Sequence, residues 1–177
     1  MNSQDIAIVA ILLACGCVVH IAASSYPSPI VANLAISFYC LAIILAKPNL
    51  LEAAAIGLFA GIIFSITSPS INPLGNLISE PVGALACFFI FATLGRFTSH
   101  APGTVTFFAT CASGFTFLFV ALVMAESDIL LNYDDLFSFF IALSPIVLGT
   151  ALVNSILIGV LSRLVNRLII FSYFSNA

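Results

Sequence analysis

Long apolar runs separated by short polar gaps organise this chain. Runs such as 6–14 and 53–66 show no alternation of apolar and polar positions, which a strand of a membrane β-barrel would require. They predict helices instead. At roughly 20 residues per crossing, the runs divide into six spans, at about 5–23, 30–46, 50–66, 81–96, 104–125 and 140–163. The gaps fit this division. Residues 24–29, with two prolines and the interfacial Tyr26, read as a turn. Lys47-Pro48-Asn49 stops the second span, 98–103 with His100 forms a loop, and 126–135 forms an acidic one. The apolar segment 136–164 is longer than one crossing needs, so Pro145 is expected to separate a short leading turn from the sixth span. The tail 168–174, apolar and aromatic, is expected to lie along the interface.

One stretch departs from the apolar monotony. Residues 65–81 read S-I-T-S-P-S-I-N-P-L-G-N-L-I-S-E-P. Backbone that cannot stay helical is tolerated at membrane depth only inside protein or beside a water-filled cavity. Two apolar segments flanking such a polar, Pro/Gly-broken stretch therefore point to a binding site, the plain alternative being a solvated loop. Pro81 is expected in the first turn of the fourth span, capped by Ser79 or Glu80. Gly57-x-x-x-Gly61 in the third span permits close helix contact.

Composition settles the class. Of the 177 residues, 62% are hydrophobic and 6% charged, with mean hydropathy +1.26, against about 25% charge in ordinary soluble domains. The expected fold is a single-domain, all-α integral membrane protein over 1–177. The first apolar run follows no Lys or Arg and precedes no small-residue cleavage site, so a cleaved leader is not expected. With the N-terminus inside, Lys47, Arg96, Arg163 and Arg167 all fall inside, while Glu80, Glu126, Asp128, Asp134 and Asp135 fall outside. Positive-inside bias thus predicts an N-in/C-in, six-helix topology with the 65–81 stretch at the outer face.

The catalytic signatures are absent: the sequence has no HExxH, GxSxG, CxxC or Walker loop. The five cysteines, an odd number, all lie in apolar runs, and no further Cys stands near Cys15-Gly-Cys17, so neither disulfide framework nor metal site is expected. No enzyme, cofactor or nucleic-acid partner is expected. Recognition of a small molecule fits better. Asn76, Ser79 and Glu80 stand at the start of the fourth span, where a helix N-terminus can hold an anionic group and Glu80 can meet an ammonium. Polar residues within the bilayer are functional suspects, which adds His20 and Asn154. Their plain alternatives are a packed imidazole and an interhelical hydrogen bond.

Val18-Val19-His20, Ala46-Lys47-Pro48, Gly61-Ile62-Ile63-Phe64-Ser65, Asn76-Leu77-Ile78-Ser79-Glu80-Pro81 and Asn154 together resemble the TrpP-type tryptophan transport family. That family is related to the substrate-binding S components of energy-coupling factor (ECF) transporters. The resemblance runs from about residue 6 to 163. It implies a protein of a prokaryotic cell membrane that captures tryptophan, or another small aromatic or heterocyclic nutrient, from outside. It would then dock on a transmembrane coupling protein driven by two ATPase subunits. S components offer that partner small residues on helix one, which Ala10 and Ala14 match here. A stand-alone small permease and a non-transporting membrane assembly factor are the rival readings.

Overall fold

The computed structural model describes residues 1–25, 32–94 and 101–175, with side chains as far as residue 165. Within these residues the fold is all-helical. Its elements are α1 (Ser3–Ala23), α2 (Ile36–Ala46), α3 (Leu50–Thr67), a 3-10 turn (Pro73–Gly75), α4 (Asn76–Leu94), α5 (Ala101–Met124), α6 (Glu126–Leu130) and α7 (Leu136–Ser175). Five stretches are long and apolar enough to cross a membrane: α1, α3, the 3-10 turn with α4, α5, and α7 through Val165. The chain is a multi-pass helical membrane protein.

Local chemistry sets the helix ends. Asn2 with Asp5, and Asn49 with Glu52, form reciprocal capping boxes at the starts of α1 and α3. The terminal ammonium of Met1 also pairs with Glu52, which brings these two helix starts to the same end of the bundle. Lys47 ends α2 in the left-handed region at φ 46°, and Pro48 follows it. At the opposite end Asp135 caps α7, its Oδ1 accepting from the Ser138 N–H at 2.6 Å. Those hydrogen bonds hold the Asp135 carboxyl below the usual carboxylate range.

The second predicted span is much shorter than the expected 30–46: its helix has 11 residues, about 17 Å. This helix is apolar on every side and is accordingly buried, with Tyr39, Cys40, Leu41, Ala42 and Ile43 almost without exposure. It packs against α1, α3, α4, α5 and α7, making it the axis of the bundle. The residues before it, Ala32–Ala35, are extended or turned. Their backbone runs among the other helices, and Asn33 among them is only part-buried.

The prolines also behave differently from expectation. Pro81 lies inside α4, not in its first turn, because Pro73 takes the helix-starting place and winds the 3-10 turn directly into Asn76. Asn76, Ser79 and Glu80 are therefore residues of the helix rather than a loop and cap before it. Pro145 does not divide the last segment, since α7 is continuous through it; its missing N–H leaves only the Ile141 carbonyl without a donor. The 126–135 loop contains α6, and α5 begins at Ala101, within the loop expected at 98–103. Residues 26–29 of the expected turn, with Tyr26, and Arg96 and His100 lie outside the described residues. So do the side chains of the tail, including Arg167, although its backbone continues α7 to Ser175 rather than forming a separate interfacial segment.

Glycines set the closest helix contacts. A Cβ on Gly57 would stand 2.7 Å from Pro81 Cα and 2.8 Å from the Glu80 carbonyl oxygen, and one on Gly61 would stand 2.6 Å from the Asn76 carbonyl oxygen. The Gly57–Gly61 face is thus where α3 meets the first turns of α4. Gly61→Val is expected to force these backbones apart and cost about 1–3 kcal/mol. Gly149→Ala, where nothing lies within 4 Å, is expected to be neutral or slightly stabilising. Thermal unfolding in detergent measures both, and equal midpoints would contradict the packing.

Candidate functional site

A cavity of about 50 Å³ lies inside the bundle where four helix ends and two helix middles meet. On the water-sized measure this is room for roughly four waters. His20 near the end of α1, Asn33 and Ile36 at the start of α2, and Asn76 and Glu80 of α4 form one side. Ser68 and Ser70, in the broken segment after α3, form another. The third side comes from Thr110, Ser113, Gly114 and Phe117 of α5 with Ile146, Val147 and Thr150 of α7. Ser113 has 11 further residues of α5 after it, about 16 Å of helix, so the cavity lies well below the C-terminal end of α5.

Its polar wall is one connected network. Glu80 Oε1 accepts from Asn33 Nδ2 at 2.8 Å and from Ser113 Oγ at 3.2 Å. Asn154 Nδ2 donates to the Asn33 carbonyl at 2.9 Å and to Thr110 Oγ1 at 3.2 Å. Its Oδ1 accepts from Ser37 Oγ at 2.7 Å. Two amides and a carboxylate thereby join α2, α4, α5 and α7 where lipid supplies no competing hydrogen bonds. Several groups stay open. Glu80 Oε2, Asn33 Oδ1 and both ring nitrogens of His20 are buried without partners. Glu80 and His20 are each 1% exposed. The His20 ring stacks on Phe64, with centroids 4.5 Å apart and planes at 30°. Orphaned buried polar groups are rare and costly, and three such side chains on one cavity make it the candidate site.

The five residues expected to bind substrate divide accordingly. His20, Asn76 and Glu80 line the cavity, and the Asn76 amide donates to the Pro73 carbonyl at 2.9 Å, closing the turn that begins α4. Asn154 stands behind the wall and holds Asn33 and Thr110 in place. Ser79 is fully buried, with an unpartnered hydroxyl, and is not part of the cavity wall. Ala10 and Ala14 are on a different surface: both are exposed and line an apolar groove between α1 and α3, with Ala55, Phe59 and Ile63 across from them.

Sequence reasoning missed Asn33, Ser37, Thr110 and Ser113. For α5 a signal was present. Thr106, Thr110 and Ser113 recur at helical spacing, and Phe117 continues the same buried face. Asn33 had no periodic signal, since it precedes its helix. Among the described residues no group of three His, Cys, Asp or Glu side chains could hold a metal ion.

No protein-family model, no curated protein and no solved structure matches this chain.

Asn154→Ala would strip partners from Ser37, Thr110 and the Asn33 carbonyl together. It is expected to destabilise the protein by about 1–2 kcal/mol, near the upper range for interhelical hydrogen bonds in membranes. Thr104→Ala, at an exposed position of α5, is the control. Unfolding midpoints in detergent would refute the network's role if the two substitutions behaved alike.

Proposed function

We propose that this protein is the substrate-binding membrane component of a nutrient uptake transporter, of the kind the TrpP and ECF S-component resemblance implies. The carrying observation is the cavity deep in the bundle, walled by buried polar side chains with open hydrogen-bonding groups and bordered by the broken segment between α3 and α4. Small-ligand sites are concave, mostly apolar, and furnished with a few convergent polar groups. Ile36, Gly114, Phe117, Ile146 and Val147 supply the apolar part here, and Glu80, Asn33 and His20 the polar part.

The full topology belongs to the same proposal. Six crossings result if α2 and the segment before it count as one, N-in and C-in in a prokaryotic cell membrane. Charge supports that orientation. Lys47 and Glu52 stand with the amino terminus at one end, and α7 carries Arg163 toward that end. Glu126, Asp128, Asp134 and Asp135 surround α6 at the other. The ligand would enter from outside, between the 68–75 segment and the start of α2. In this reading the protein hydrolyses no ATP itself. Ala10 and Ala14 present small side chains on the exposed α1–α3 groove, where a coupling helix can approach closely. Two ATPase subunits on the coupling protein would supply the energy.

Mass spectrometry of what co-purifies with the detergent-solubilised protein, with a thermal-shift titration against tryptophan and a nutrient panel, tests binding. A ligand at a hundredfold excess over its dissociation constant is expected to stabilise by about 2.7 kcal/mol. Absence of any bound molecule and of any shift across the panel would overturn the reading. Ala10→Leu with Ala14→Leu is expected to abolish uptake while leaving binding intact. Unimpaired uptake would remove docking from this face and favour a permease that works alone.

A further inference from the structure

The cavity wall is unbalanced in charge and in hydrogen-bonding type, and the imbalance specifies a ligand group. Glu80 is an acid buried among α2, α4 and α5, and no cation faces it among the described residues. Lys47 is at the far end of α2 and exposed, and Arg163 lies nine residues beyond Asn154 and is exposed. A buried carboxylate without a counter-charge is costly. The donors that reach Glu80, Asn33 Nδ2 and Ser113 Oγ, both go to Oε1. Because the Asn33 amide turns its NH2 to the carboxylate, its oxygen can only accept. The atoms left without partners here are two acceptors, Glu80 Oε2 and Asn33 Oδ1, the His20 imidazole, and, next to Glu80 but outside the cavity lining, the buried Tyr39 hydroxyl.

We propose that the cavity binds a small molecule through a primary ammonium group, for which Glu80 is the counter-ion and Asn33 Oδ1 a second acceptor. An ammonium has three donors and no acceptor, which complements this wall. A carboxylate or phosphate would find the nearest donors already committed to Glu80 and a negative charge opposite. His20, stacked on Phe64, and Phe117 border the same space, so the ammonium is carried on an apolar or aromatic body. The inference rests on the small-ligand reading above and goes further in assigning the charge of the ligand and the residue that meets it.

The test compares matched probes on the purified protein in detergent, by thermal shift and equilibrium binding. Propylamine, phenethylamine and tryptamine are each set against the corresponding alcohol, with tryptophan and indole-3-propionate as the amino-acid and acid-only arms. The best amine is expected to bind roughly 30-fold or more tightly than its alcohol, the scale of a buried, hydrogen-bonded charge pair. Tryptophan should follow the amine, and indole-3-propionate should not bind. Glu80→Gln should bring the amine down to the level of the alcohol. If that variant does not fold, the amine-to-alcohol ratio of the unaltered protein decides alone. An alcohol or acid that binds as well as its amine, or an amine preference that survives Glu80→Gln, would overturn the proposal. Tryptophan binding beside an inert tryptamine would make the carboxylate the recognised group, with the same consequence. Should all the amines be inert while a neutral or anionic molecule co-purifies and stabilises, the ammonium site falls and the small-ligand reading stands. If nothing binds and nothing co-purifies, both fall.

Discussion

Asn154 is where the architecture and the cavity depend on each other. In a bundle surrounded by hydrocarbon, a side-chain amide must find its partners inside the protein, and this one finds three, on α2, on α5 and on the backbone just before α2. The last of these fixes Asn33. Asn33 in turn presents its amide to Glu80, so the position of the one acid on the cavity wall is set by a residue on a different helix behind that wall. Apolar packing alone would leave the rotation of α2 about its axis weakly specified, because the helix is apolar all round. The hydrogen bonds that Asn154 of α7 accepts from Ser37 Oγ and donates to the Asn33 carbonyl select one rotation.

Close backbone approach does the complementary work. Gly57 and Gly61 let α3 rest against the first turns of α4, which carries Asn76 and Glu80 toward the centre. The chain between the two helices is non-helical over 68–72, before the 3-10 turn that Pro73 begins, and it leaves Ser68 and Ser70 at the cavity. Half-length α2 contributes the remaining space: had its helix begun near residue 30, regular backbone would fill the place that Asn33 and the cavity occupy. The open volume is thus a consequence of two interrupted segments meeting at the same depth, the arrangement expected of sites within membrane bundles.

Two surfaces are separated by this construction. The polar groups converge inside, on the cavity wall. The small residues of α1 face outward on the apolar α1–α3 groove, on the same helix as His20 but on a different side of it. A ligand-dependent change in the position of α1 would be felt on both, since His20 is near its C-terminal end and Ala10 and Ala14 lie midway along it.

Much of this was determined by the sequence alone. Nearly unbroken apolarity and scarce charge dictate membrane helices, because a backbone in lipid must satisfy its own hydrogen bonds. Asn2, Asn49 and Lys47-Pro48 mark helix ends through local chemistry, and Gly57-x-x-x-Gly61 marks a contact face. The polar break at 65–81 drew attention to Asn76 and Glu80, which the fold places on the cavity wall. Tertiary structure decided the rest. Whether Pro73 or Pro81 begins α4 depends on how the turn packs beneath α3, and the half-length of α2 depends on the space left by five neighbours. Asn33 gains its place only when α4 and α7 surround it, and Ser79, one residue from Glu80, is turned away from the cavity by the 100° step between successive helical residues. Composition can announce that polar groups are buried. Only the packed helices determine which of them keep an open hydrogen bond, since that depends on which partners the fold brings within about 3 Å.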